Sequence, residues 1–120
     1  MTTFTWLLVA HLVGDWMLQN DWMARHKQSG LFNPAIAVHC ITYTLTALGS
    51  LWLTTTQNAT HPPYLIFSLF ILLSHWIIDA TGLAKWWVQF FRQSELNFVQ
   101  LMVDQTMHIV VLACLTQFLL

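Results

Sequence analysis

Four apolar stretches, separated by short polar segments, make up nearly the whole chain, over about residues 4–18, 34–53, 64–83 and 96–120. A helix needs roughly 20 mainly apolar residues to cross a bilayer, and only helices or closed barrels satisfy their backbone inside lipid. Four strands are too few to close a barrel. The pattern therefore predicts an all-α, polytopic membrane protein: one transmembrane domain over residues 1–120, folded as a four-transmembrane-helix bundle. The first stretch is short for a span. It is expected to continue as helix through residues 19–26 into the interface, with Gly30 as its stop. Asn33-Pro34 reads as a cap and the first helical residue of the second span. Residues 54–61 read as a polar loop broken by Pro62-Pro63. The segment KWWVQFFRQSE, residues 85–95, has paired aromatics and scattered charges, which predict a short interfacial helix between spans 3 and 4.

Ionisable residues interrupt this oily pattern at one repeated spacing. His11-x-x-x-Asp15, His75-x-x-x-Asp79 and Asp104-x-x-x-His108 each place two side chains on one helix face, and His39 adds a fourth imidazole in span 2. Charge inside a lipid-spanning helix is costly, so such groups normally face inward and mark a working site.

Composition sharpens the membrane reading. The chain is 57% hydrophobic and 8% charged, against about 25% charged in a soluble domain. The net charge of -1, without a basic run, leaves nucleic-acid binding without support. Cys40 and Cys114 have no metal-type spacing with the histidines and are expected to be buried, reduced thiols. The start MTTFTW lacks a basic region and a small-residue cleavage site, so a cleaved signal peptide is not expected. Asn58-Ala59-Thr60 is formally a glycosylation sequon, a pattern common by chance.

Arg25 and Lys27 fall between spans 1 and 2, and Lys85 and Arg92 between spans 3 and 4. The remaining loop and both tails carry no Lys or Arg. The positive-inside rule puts the basic loops in the cytoplasm and both termini outside it. In that orientation His11, Asp15, His39, His75, Asp79, Asp104 and His108 all fall in the cytoplasmic half, each within one or two turns of a common level.

Imidazole and carboxylate on facing helices of a bundle are the donors of divalent metal sites. These seven residues are the candidate metal ligands, with zinc the first expectation and iron or manganese behind it. They suffice for two ions, which together can clamp a phosphoryl or acyl centre. The competing reading is that each His hydrogen-bonds its own Asp, or one on a neighbouring helix, and merely holds the bundle together. Three pairs and a level fourth histidine favour metal or catalysis. Asp21 and Arg25 suit a surface pair, and His26 and His61 suit solvent-exposed loops. His39, Thr42, Tyr43 and Thr46 form one polar stripe that either lines a path or bonds to neighbours. Trp22, Trp86 and Trp87 suit an inner interfacial belt, and Trp6 and Trp52 an outer one. Trp16 and Trp76 adjoin the pairs and suit packing against lipid or neighbouring helices. Gly14 and Gly82 suit close helix contact.

The opening HLVGDWMLQNDWMARHK resembles the start of the DUF3307 family, small bacterial and phage membrane proteins of unknown function. LLSHWIIDATG and FVQLMVDQTMHIVVL resemble its later segments, so the likeness covers nearly the whole chain. It implies a helical membrane fold, a bacterial inner-membrane location and no particular activity. More loosely, the His-x-x-x-Asp pairs are similar to those of membrane-bound metal-dependent hydrolases of the YdjM type and of the zinc phospholipase C and S1/P1 nuclease superfamily. That similarity implies metal ligation by His11, Asp15, His75, Asp79, Asp104 and His108. The chain lacks any soluble catalytic domain, so the activity transfers only by analogy.

The expectation is an intramembrane metal-dependent hydrolase of a lipid-like phosphoester or ester, with Asp15, Asp79 or Asp104 bridging metals or acting as base. Membrane lipid is then the partner. The alternative is non-enzymatic: a metal- or proton-handling membrane protein, or a structural or accessory subunit of a homo-oligomer or larger membrane complex.

Overall fold

The computed structural model describes residues 1–56, 61–93 and 96–120, so the sequon at Asn58 lies outside the described residues. Every regular element among them is helical: α1 (Thr3–Leu12), a π-helical turn (Val13–Met17), α2 (Asp21–His26), α3 (Pro34–Thr55), α4 (Tyr64–Thr81), α5 (Leu83–Phe90) and α6 (Asn97–Phe118). Three helices, α3, α4 and α6, are long and apolar enough to cross a membrane, as expected of a membrane protein. At about 1.5 Å per residue the two of 22 residues reach roughly 33 Å. The first element is only 10 α-helical residues followed by five in the π turn, and it falls short of that length.

Around the bundle, α1 packs on α3, α3 on α4, α4 on α6 and α6 back on α1. The four form a closed ring, and α5 packs outside it against α4 and α6. Facing the ring interior as one packed cluster are Leu7, Tyr43, Ala47, Leu51, Phe67, Ile71 and Leu112, all buried. The outward faces carry Leu45, Leu65, Leu69, Phe70 and Val110 in exposed positions. Apolar side chains outside and ionisable ones inside invert the arrangement of a soluble domain and suit lipid as solvent.

Local chemistry fixes the helix ends. Asn33 Oδ1 accepts from the Ile36 amide at 3.0 Å, and Pro34 takes the first helical position. Residues 19–26 do not prolong the first helix as the sequence suggests. The chain breaks after the π turn, and Asn20 Oδ1 caps a new helix by accepting from the Met23 amide at 2.9 Å. The Asn20 side chain competes for backbone donors that a continuous helix would use. Gly30 is not the stop either, since α2 ends at His26. Gly14 does allow close approach: an added Cβ would lie 3.3 Å from Tyr43 Cα. Gly82 serves a different purpose. Its φ of 64° supplies the left-handed residue between α4 and α5, with nothing within 4 Å of an added Cβ. Cys114 is exposed rather than buried, because it lies on the outward face of α6, while Cys40 is buried.

Candidate metal centre

All four walls of the ring send polar side chains to one level next to the apolar layer. Asp15 comes from the π turn, His39 from α3, His75 and Asp79 from α4, and His108 from α6, each at most 2% exposed. The wider π turn resets the angle between His11 and Asp15. Such turns recur at functional sites.

Four atoms converge. His39 Nε2 lies 3.1 Å from Asp15 Oδ1, 3.0 Å from Asp79 Oδ2 and 2.9 Å from His75 Nε2. His75 Nε2 lies 3.8 Å from Asp15 Oδ1 and 3.6 Å from Asp79 Oδ2. A tetrahedron with metal–ligand bonds of about 2.0–2.1 Å has edges of roughly 3.3 Å, inside this range. The chemistry of the atoms agrees with the geometry. His39 Nε2 carries at most one proton, yet three acceptors crowd it. One shared cation would satisfy all four groups together.

A second set, Asp15, Asp104 and His108, brings one ligand atom from each residue within 4.8 Å, and Asp15 belongs to both sets. Asp15 Oδ1, Asp79 Oδ1 and His108 Nε2 are buried and have no hydrogen-bond partner among the described residues. Unpaired buried polar atoms are costly. Their concentration here fits donors arranged for an ion. His39 Nδ1 and His75 Nδ1 also have none. The His75 ring is held instead by Tyr43, stacked at 3.7 Å between centroids.

Pairing within one helix is the weaker pattern. His75 and Asp79 stand 3.6 Å apart and His108 and Asp104 3.8 Å, whereas His108 Nε2 to Asp79 Oδ1, between α6 and α4, is 3.3 Å. His11 lies outside both candidate sets. Its Nδ1 meets Tyr43 Oη at 3.0 Å and its Nε2 meets Gln105 Oε1 at 2.9 Å. Gln105 also donates from Nε2 to Asp15 Oδ2 at 2.7 Å and accepts from Trp16 Nε1 at 3.1 Å. Asp104 is half-buried at the rim, 3.2 Å from Gln105 Nε2. Of the polar stripe on α3 only His39 and Tyr43 join the centre. Thr42 and Thr46 donate to backbone carbonyls one turn back. Asp21 and Arg25 form an exposed pair at 3.5 Å. Trp76, on α4, ties down the connection between α2 and α3 by donating to the Leu31 carbonyl at 2.8 Å.

Two participants escaped the sequence reading. Gln105 is one; its only signal is its place between Asp104 and His108 in an apolar run. Lys27 is the other. Its Nζ donates to Asp79 Oδ2 at 2.7 Å, with the side chain 17% exposed. Burial disfavours its charge, but the adjoining Asp79 carboxylate more than offsets this and holds its pKa above the ordinary value. In sequence it is simply a basic residue in a polar connection.

A cavity of about 260 Å³ leads to this rim and is lined by Asp15, Trp16, Gln19, Lys27, Asp104 and Gln105, with Leu101 at its edge. At about 30 Å³ per water it holds several waters or one small polar group. A larger apolar groove of about 880 Å³ lies between α4, α5 and α6. Helix α6 separates the two, since Val103 and Thr106 line the groove while Asp104 and Gln105 line the vestibule.

Residues 3–120 match the family described as Protein of unknown function (DUF3307). No curated protein and no solved structure matches the chain.

Proposed function

We propose, for a chain that belongs to the DUF3307 family, the function of a membrane-embedded, metal-dependent hydrolase acting on a phosphoester or ester of a lipid-like substrate. One observation carries the metal reading: four buried donors, Asp15 Oδ1, His39 Nε2, His75 Nε2 and Asp79 Oδ2, contributed by three walls of the ring, at separations compatible with one tetrahedral ion. Zinc suits two imidazoles and two carboxylates, with iron or manganese as further fits. A divalent ion would supply Lewis-acid polarisation of the scissile group.

The hydrolytic reading is supported by the outer set. The inner four donors form a closed shell, as in structural sites, whereas Asp15, Asp104 and His108 are three and leave a coordination position, as in catalytic ones. Asp15 and Asp104 line the vestibule. Lys27, on its wall, is placed to bind an anionic head group. Asp104, half-buried there, is placed to accept a proton from water. Trp16 and Leu101, both exposed, would meet the apolar part of an amphiphile at its mouth. The closed inner shell itself favours the second reading, a non-enzymatic metal-handling membrane protein whose ion is structural.

Topology belongs to the same proposal. The first helix and its π turn act as a short fourth span, and α5, with Trp86 and Trp87 exposed, lies in the interface. The connections bearing Arg25, Lys85 and Arg92 face the cytoplasm and both termini lie outside. A cysteine added at either end should then be labelled by an impermeant reagent in intact cells; labelling only after lysis contradicts the orientation.

The activity test uses purified protein, zinc and a chromogenic acyl ester or alkyl phosphoester in mixed micelles. Metal-dependent turnover that Asp104→Asn lowers at least tenfold, with inner-site metal retained, supports hydrolysis. Full metal loading without turnover on either class moves the assignment to the non-enzymatic reading.

A further inference from the structure

Three carboxylates, of Asp15, Asp79 and Asp104, meet a single ammonium, that of Lys27, among apolar helices. With the histidines neutral, as metal ligation requires, this leaves two negative charges. Uncompensated charge in a low-dielectric interior is costly. One divalent ion in the inner set cancels them. A second ion in the outer set leaves two positive charges in the same small volume. Among the described residues the remaining acidic side chain, Asp21, is exposed and turned to Arg25. No other carboxylate among the described residues adjoins the outer set, so further negative charge there is best supplied by a ligand, and the vestibule that borders the set is where it would enter.

We infer that the outer set, Asp15, Asp104 and His108, takes its ion only together with a phosphate-type anion in the vestibule, making the substrate a phosphoester rather than a neutral carboxylic ester. This rests on the metal reading above. A phosphoryl group brings one to two negative charges and several acceptor oxygens. The vestibule supplies the complementary donor, because Lys27 lines it while holding Asp79 Oδ2 at 2.7 Å. Asp15 couples the two positions. Its Oδ1 faces His39 and His75, and its Oδ2 is held by Gln105 Nε2 at 2.7 Å. His108, with its side chain 2% exposed and its Nε2 3.3 Å from Asp79 Oδ1, completes the outer set behind the vestibule.

The test is a zinc titration of metal-free, detergent-purified protein, with and without inorganic phosphate, read by elemental analysis after desalting. One equivalent alone and two with phosphate are expected. Asp104→Asn should stay at one in both conditions. Lys27→Gln should take up part of the second equivalent without phosphate, because two ions then leave one excess positive charge instead of two. A short-chain phosphatidic acid in place of phosphate separates the sources: half-saturation at a concentration at least tenfold lower assigns a lipid head group, and equal values assign free phosphate, both in support. Two equivalents without any anion, or one even with it, overturn this inference and leave the inner metal site standing. No bound zinc in any condition overturns the metal reading itself.

Discussion

Along α3 the inward stripe runs Leu51, Ala47, Tyr43, His39; along α4 it runs Phe67, Ile71, His75, Asp79. Each stripe is apolar toward one end and ionisable toward the other, and Leu7–His11–Asp15 and Leu112–His108–Asp104 repeat the change on the other two walls. The apolar layer, with Phe67, Leu7 and Leu51 at 0% exposure, is satisfied by packing alone. The polar layer next to it is just as buried yet holds unpaired donors and acceptors. Buried charge is weak evidence for stability, since its desolvation can exceed its attraction. The difference suggests a division of labour: the apolar layer holds the ring closed, and this lets the polar layer keep atoms free for a ligand.

That division is broken most severely by Asp79→Asn. Asp79 meets His39, His75, His108 and Lys27. Metal affinity should fall by more than the roughly 10–100-fold that loss of an outer partner costs. Thermal unfolding in detergent should also show a loss of about 3–5 kcal/mol, because the Lys27 ammonium is left buried without its partner. The complementary change, Phe67→Ala, opens a cavity in the apolar layer and should cost about 3–5 kcal/mol in the same assay, while zinc stoichiometry measured at low temperature stays at the native value. Metal loss in this variant would mean that the two layers are not separable.

A smaller effect is expected for Gln105→Ala. It removes the groups that orient Asp15, His11 and Trp16, so zinc affinity measured by competition with a chelating dye should drop about 10–100-fold. Gly14→Ala pushes on Tyr43 from 3.2 Å and should cost about 1–3 kcal/mol, read by unfolding. Its effect on zinc affinity reports how tightly Asp15, the next residue, depends on the contact between α1 and α3. Asp21→Asn, which breaks only the exposed pair with Arg25, should change neither quantity measurably.

Legibility in the sequence divided along the same line. The His and Asp positions of the polar layer stood out individually because charge in an apolar run is costly. Members of the apolar layer did not, since Leu, Ile and Phe face lipid as readily as the interior. Within the centre, sequence spacing puts an Asp one turn from His11, His75 and His108, and leaves open which partners lie on neighbouring helices. The shorter distances cross between helices, as from His39 to Asp15 and from His108 to Asp79, and these depend on how the ring closes. The π turn had no local marker beyond Gly14. Lys27 was hidden because a lysine in a polar connection normally points to water, and Gln105 because an uncharged amide is a weak signal. The Asn33-Pro34 start of α3 was plain, since side-chain capping is decided within four residues.

The central claim is that the polar layer is a metal centre rather than a hydrogen-bonded core, and elemental analysis of native protein purified without chelator tests it most directly. The account predicts at least one equivalent of a divalent transition ion, retained in Phe67→Ala and lost in Asp79→Asn. A folded protein that carries no such ion, and takes up none when zinc is supplied, would contradict it.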